Sequence, residues 1–187
     1  GPLEDAWAAS GTRVLLASSV RLADSAASGP ETRLLAAFGL PLWVGPLEDD
    51  EARLLVRQEH LPAGRRPDLA DAAVGVLLTR CGGHPFLLQL AAKRAVELGD
   101  AEEACERRAC DPTVAHLCEV DLGLLGDVDR EVLSRLATST DRVSSEAAGR
   151  IARLRALGLV RDGSDGRPEP GHWFLGRHLA AAAPPRS

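Results

Sequence analysis

At 187 residues, 45% hydrophobic and 26% charged, the chain falls in the globular class, with room for one large or two small domains. Its net charge of −5 argues against holding nucleic acid by bulk electrostatics, and four cysteines are too few for a dense disulfide framework. No window approaches about 18 uncharged apolar residues. The N-terminus shows no basic region leading into an apolar one, so the expectation is a cytoplasmic protein without a membrane partner.

The two ends differ in charge. Residues 1–120 carry 12 Lys+Arg against 18 Asp+Glu, a balance of −6, whereas 121–187 carry 10 against 9, a balance of +1. Arg13-Val14-Leu15-Leu16-Ala17-Ser18 and Leu40-Pro41-Leu42-Trp43-Val44 are continuous apolar runs of the kind buried on both faces of a parallel sheet, with a short helical crossover from Glu31 to Phe38 between them. Two strands do not make a stable sheet, so residues 1–45 are expected to be the remnant of a larger parallel α/β sheet whose other strands lie elsewhere.

Gly45-Pro46-Leu47 leads into Glu48, Asp49, Asp50 and Glu51, acids suited to the first turns of a helix. Leu69, Ala72, Ala73, Val76 and Leu77 follow helical spacing up to Cys81-Gly82-Gly83-His84-Pro85, and Leu87, Leu90, Ala91 and Leu98 resume it until Gly99. Gly82 and Gly83 permit positive φ at a helix end, and Pro85 suits the first position of the next helix. Residues 46–120 therefore read as a small helical domain.

Residues 121–187 change style. Asp127 is placed to cap a helix bearing Val128, Val132, Leu133 and Leu136, and Ser144-Ser145-Glu146 opens another through Ile151, Leu154 and Leu157 that ends at Gly158. Leu159-Val160-Arg161 and His172-Trp173-Phe174-Leu175 then flank the turn-rich Gly163-Ser164-Asp165-Gly166, which predicts a β-hairpin. Helices followed by a hairpin in this order look like a winged helix. The predicted fold class is mainly α with minor β: a parallel-sheet remnant, a helical lid and a winged-helix domain.

Gly83-His84-Pro85, the Pro46-Leu47 helix opening and Leu154-Arg155-Ala156-Leu157-Gly158-Leu159-Val160 occur in an order that resembles the C-terminal half of a STAND or NB-ARC-like AAA+ ATPase. The resemblance implies a regulatory lid and winged helix that couple nucleotide state to conformational switching in signal transduction. In such proteins the proline of Gly-x-Pro packs on adenine, which implies nucleotide contacts at Gly83, His84 and Pro85. Ser18, Ser19 or Arg21 falls where the sensor 1 residue would sit. In the same resemblance a histidine of the winged helix reaches the phosphates. By the register of Leu175-Gly176-Arg177-His178-Leu179-Ala180, Trp173 takes the histidine position and Phe174 the neighbouring aspartate position, with His172 one residue away. ATP or ADP would be the ligand of an intact parent, and the partners implied are the nucleotide-binding half and an oligomer in the active state.

No catalytic residue is expected in this chain. The single lysine, Lys93, follows Ala92 rather than glycine, so no P-loop is present, and no apolar strand ends in an acidic pair that would hold magnesium. The five histidines lie in unrelated contexts, without a nucleophile motif. Cys105, Cys110, His116 and Cys118 lack a C-x-x-C pair, so no metal is expected. The alternative functions are a winged-helix transcriptional regulator using Arg150, Arg153, Arg155 and Arg161 on DNA, and a helical interaction module unconnected with nucleotides. Arg153 and Arg155 lie about 200° apart round a helix, so DNA is not favoured.

Overall fold

The computed structural model describes residues 44–138 and 147–183. The chain divides into two compact units, Gly1–Val44 and Gly45–Ser187. The strand and crossover readings within 13–43, with Ser18, Ser19 and Arg21, lie outside the described residues. Val44 is 92% exposed and belongs to no strand.

The described residues of the second unit are mainly helical, with one small antiparallel sheet. Its first helix, α1 (Asp49–Arg57), opens with a capping box in which the Glu48 amide donates to Glu51 and Glu48 in turn caps the N-terminal turn. A short 3-10 turn (Ala63–Arg65) leads to α2 (Asp71–Cys81), which ends where Gly82 takes φ 57° and its amide donates to the Leu78 carbonyl. Next come α3 (Pro85–Leu98) and α4 (Ala101–Ala109), the latter capped by Asp100 accepting from the Glu103 amide. α5 (Pro112–Gly123) starts on an Asp111 cap with Pro112 at its first position.

The buried stripes sit slightly round from those expected. α2 buries Val74, Leu77, Leu78 and Cys81 and leaves Ala72 exposed, while α3 buries Leu87, Leu88, Ala91, Ala92 and Ala95. These helices have neighbours on more than one side, so residues next to the counted stripe are buried as well.

The remaining elements are α6 (Asp127–Thr138), α7 (Ala148–Ala156), β1 (Val160–Asp162), β2 (Pro168–Pro170) and α8 (Trp173–Ala182). Asp127 stands inside α6 rather than before it, and Gly126 supplies the carbonyl for the first turn. Val128 is 51% exposed, so α6 packs through Val132, Leu133 and Leu136. The expected start at Ser144–Glu146 lies outside the described residues.

One expectation is overturned. The hairpin pairs Val160 with Pro170, Arg161 with Glu169 and Asp162 with Pro168, so the returning strand precedes His172. His172-Trp173-Phe174-Leu175, expected as that strand, begins α8 instead, with His172 as its N-cap. The reason is packing: on the helix, Leu175 and Leu179, one turn apart, both become buried, as does Phe174.

The described residues form two hydrophobic cores. The first joins α1 to α4 with Val114 of α5 and Phe174 of α8; the second joins Cys118 of α5 to α6, α7, the hairpin, Leu175 and Leu179. α5 runs through 120–121 and, like α8, contributes to both.

Candidate functional site

The corner between α2 and α3 is fixed by close backbone approach. A Cβ on Gly82 would fall 2.0 Å from the Gly171 carbonyl oxygen, and one on Gly83 2.3 Å from that of Leu47, whose amide donates to the Gly83 carbonyl at 2.9 Å. Gly171 in turn lies against the Gly158 carbonyl, and Gly158 against the ring of Pro46. The glycines therefore join the start of the unit, the α2–α3 corner, the end of α7 and the base of the hairpin through contacts that no side chain could enter.

On that base, His84 caps α3, accepting at Nδ1 from the Leu87 amide at 3.5 Å, and Pro85 is the first helical residue. Pro85 and Phe86 are exposed, Phe86 by 41%, while Leu87 and Leu88 turn into the core. The corner thus offers a rigid apolar step to solvent.

His172 lies behind it. Its Nδ1 accepts from the Leu175 amide at 3.0 Å, its ring stands edge-on to His84 at 5.8 Å, and its Nε2 is buried without a partner. Burial, then the fields of His84 and Arg161, push its pKa down to about 3. Burial also lowers His84, opposed by Asp121 of α5, whose own carboxyl is raised by burial. His172 is 2% exposed, so among the described residues expected at a nucleotide it is the corner, and not His172, that reaches the surface.

Trp173 carries two guanidinium groups on its ring, Arg80 at 4.3 Å and Arg177 at 5.0 Å. Each is held by a glutamate of α4, Arg80 by Glu102 at 2.6 Å and Arg177 by Glu106 at 3.2 Å. Phe174 meets Trp173 edge-to-face at 5.2 Å. Neither residue lies on the hairpin.

The four arginines offered to DNA are engaged within the chain. Arg150 and Arg153 reach the two carboxylate oxygens of Asp129 at 2.9 and 3.0 Å, Arg155 pairs with Asp162, and Arg161 with Glu169 at 2.7 Å. Arg161 also donates to the Thr79 carbonyl at 2.8 Å, tying the hairpin to α2. Asp129, 3% exposed, had no motif to mark it; the one signal was Arg150 and Arg153 at helical spacing close to the Ile151–Leu154 stripe.

An open cleft of about 640 Å³ lies beside the corner, between the start of α1, α2 and the hairpin, with Glu48, Arg53, Thr79, Gly83, Arg161 and Glu169 in its walls. Its charges are of mixed sign. Cys105 and Cys118 are buried in different cores while Cys110 and His116 face solvent, and among the described residues no three His, Cys, Asp or Glu converge on a metal position. No described helix is long and apolar enough to cross a membrane. No family model, curated protein or solved structure compared with this chain matches it.

Proposed function

We propose that this chain is the lid and winged-helix regulatory part of a STAND-type switch ATPase, with α1–α5 as the lid and α6 to α8 with the hairpin as the winged helix. The observation that carries the reading is the exposed Pro85–Phe86 step at the start of α3, held on a glycine corner. A flat apolar surface at a helix start suits stacking on an adenine base brought by another domain, and a corner locked by backbone contacts holds that surface in place. ATP or ADP is the ligand in this reading, Gly83, His84 and Pro85 shape the contact, and His172 is a positioning residue that acts through His84. Arg21 is assigned to the sensor position by resemblance alone.

The chemistry of hydrolysis belongs to the nucleotide-binding half, which this reading names as the first partner. The DNA-reading alternative draws no support from the arginines, because binding phosphates with them would break their pairs with Asp129, Asp162 and Glu169.

The test uses the longer protein that includes this chain and a Gly-x-x-x-x-Gly-Lys-Ser/Thr segment on its N-terminal side. Calorimetry with ADP on that protein and on its Pro85→Ala variant should show affinity reduced by about 1–3 kcal/mol, the worth of a misplaced apolar contact. The melting temperature without nucleotide should move little, since Pro85 is exposed. Unchanged affinity in a folded variant, or no such upstream segment, overturns the assignment.

A further inference from the structure

Two helices of the second unit, α3 and α8, are capped at their N-termini by histidine rather than by the usual Ser, Thr, Asp or Asn. The choice has a chemical consequence. A histidine caps through Nδ1 only while that nitrogen is unprotonated, because the lone pair that accepts the backbone N–H is the one a proton would take. An Asp or Asn cap is free of this constraint near neutral pH.

The two capping rings face each other. Their centroids are 5.8 Å apart with planes at 78°, and His84 is at the α2–α3 corner while His172 follows Gly171, whose carbonyl approaches Gly82. The pair therefore sits where the hairpin and α8 meet the helical core. The groups that act on it from neighbouring elements are Asp121 of α5 on His84 and Arg161 of β1 on His172. The arginine disfavours a second positive charge beside it, and the buried Nε2–H of His172 has no acceptor to stabilise an imidazolium.

We propose that His84 and His172 form an acid-sensitive joint: proton uptake on either Nδ1 removes a helix cap and places positive charge in the pair, releasing the first turn of α8 from the α2–α3 corner. The joint is built from the two cap hydrogen bonds and the ring contact between them. It holds whether or not the corner meets a nucleotide.

The sign follows from the shift. His172 has a folded pKa pushed down to about 3 from an ordinary value of 6.5, so the opened form binds more protons between those limits. The closed joint is fully favoured above about pH 6.5 and loses ground as pH falls, by about tenfold in the opening constant per pH unit for each proton taken up. Asp121 works the other way, because its raised carboxyl pKa favours the closed form on acidification.

The test is amide hydrogen exchange of the full chain from pH 7.5 to 4, corrected for the intrinsic rate. The Leu175 and Leu87 amides, which donate to the two histidines, are compared with the interior amides of α2 and α4. The expected result is an opening constant at Leu175 that climbs about tenfold per pH unit below 6.5 and outpaces that of α2. His172→Asn keeps a capping acceptor and should remove the slope at Leu175. His84→Asn, at a half-buried position and safer for folding, should remove it at Leu87 and reduce it at Leu175. Opening independent of pH, a slope shared equally by every helix, or a slope at Leu87 that survives in the folded His84→Asn variant would each overturn the joint.

Discussion

Asp129 of α6 and Arg150 of α7 meet at 2.9 Å, with the acid 3% exposed and Arg153 on its other oxygen at 3.0 Å. A buried carboxylate shared by two arginines from one turn of the facing helix fixes the register of α6 against α7. The arginine side chains remain 48% and 39% exposed, which tempers the worth of each pair.

The variants should be strongly non-additive. Arg150→Ala or Arg153→Ala alone leaves Asp129 one partner and should cost about 1 kcal/mol. The double variant strands a buried charge and should cost about 3 kcal/mol, more than the two together. Urea unfolding of the wild type and the three variants measures this, and an additive double variant would show that Asp129 finds water or another donor.

Gly82 and Gly99 share the left-handed backbone, with φ 57° and 72°, but not their surroundings. A Cβ at Gly99 meets nothing within 4 Å, whereas one at Gly82 would fall 2.0 Å from the Gly171 oxygen. Gly99→Ala should therefore cost only the conformational penalty of about 1–2 kcal/mol. Gly82→Ala must also push the hairpin base away and should cost several kcal/mol or abolish folding. Equal melting temperatures for the two variants would mean that the backbone contact relaxes freely. By the same geometry Gly83→Val is a stability variant, so Pro85 is the residue to change when nucleotide binding is the question.

Trp173 of α8 carries Arg80 of α2 on its ring together with Arg177 of its own helix. Arg80 is closer to the ring and its side chain is 25% exposed, against 52% for Arg177. Arg80→Ala should be the more damaging, by about 1–2 kcal/mol, and Arg177→Ala should cost under about 1 kcal/mol. Raising the salt in the denaturation should lower the cost of Arg177→Ala more than that of Arg80→Ala, because its more exposed glutamate pair is screened more fully. A larger loss from Arg177→Ala would show that Arg177, and not Arg80, is the main cation on the Trp173 ring.

Thiol labelling offers an independent check on the cores. Cys81, Cys105 and Cys118 are buried and Cys110 is exposed, and burial above all pushes the Cys118 thiol up to about 11. A thiolate-specific reagent at neutral pH should modify one cysteine in the native protein and four in denaturant. Rapid native labelling of a second thiol would place an opening in one of the two cores.

Features satisfied by near neighbours were legible in the sequence. The acids opening α1, the glycine stops at Gly82, Gly99 and Gly158, and Pro85 at the start of α3 each depend on residues within a turn, so their chemistry can be read from a few letters. The turn at Gly163–Gly166 is legible in the sequence, but the returning strand is Pro168–Pro170 and not His172–Leu175. Trp173, Phe174 and Leu175 suit strand or helix locally, and what selects the helix is burial of Phe174 in one core and of Leu175 and Leu179 in another. Asp129 depends on a helix about 20 residues on, the Trp173 ring contact on Arg80 far earlier in the chain, and the glycine corner on backbone oxygens of two other segments, at Leu47 and Gly171. Only the tertiary structure decides such features, because a charge or a ring takes its energy from the partner and the burial that the fold brings to it, and neither is written in the residues beside it.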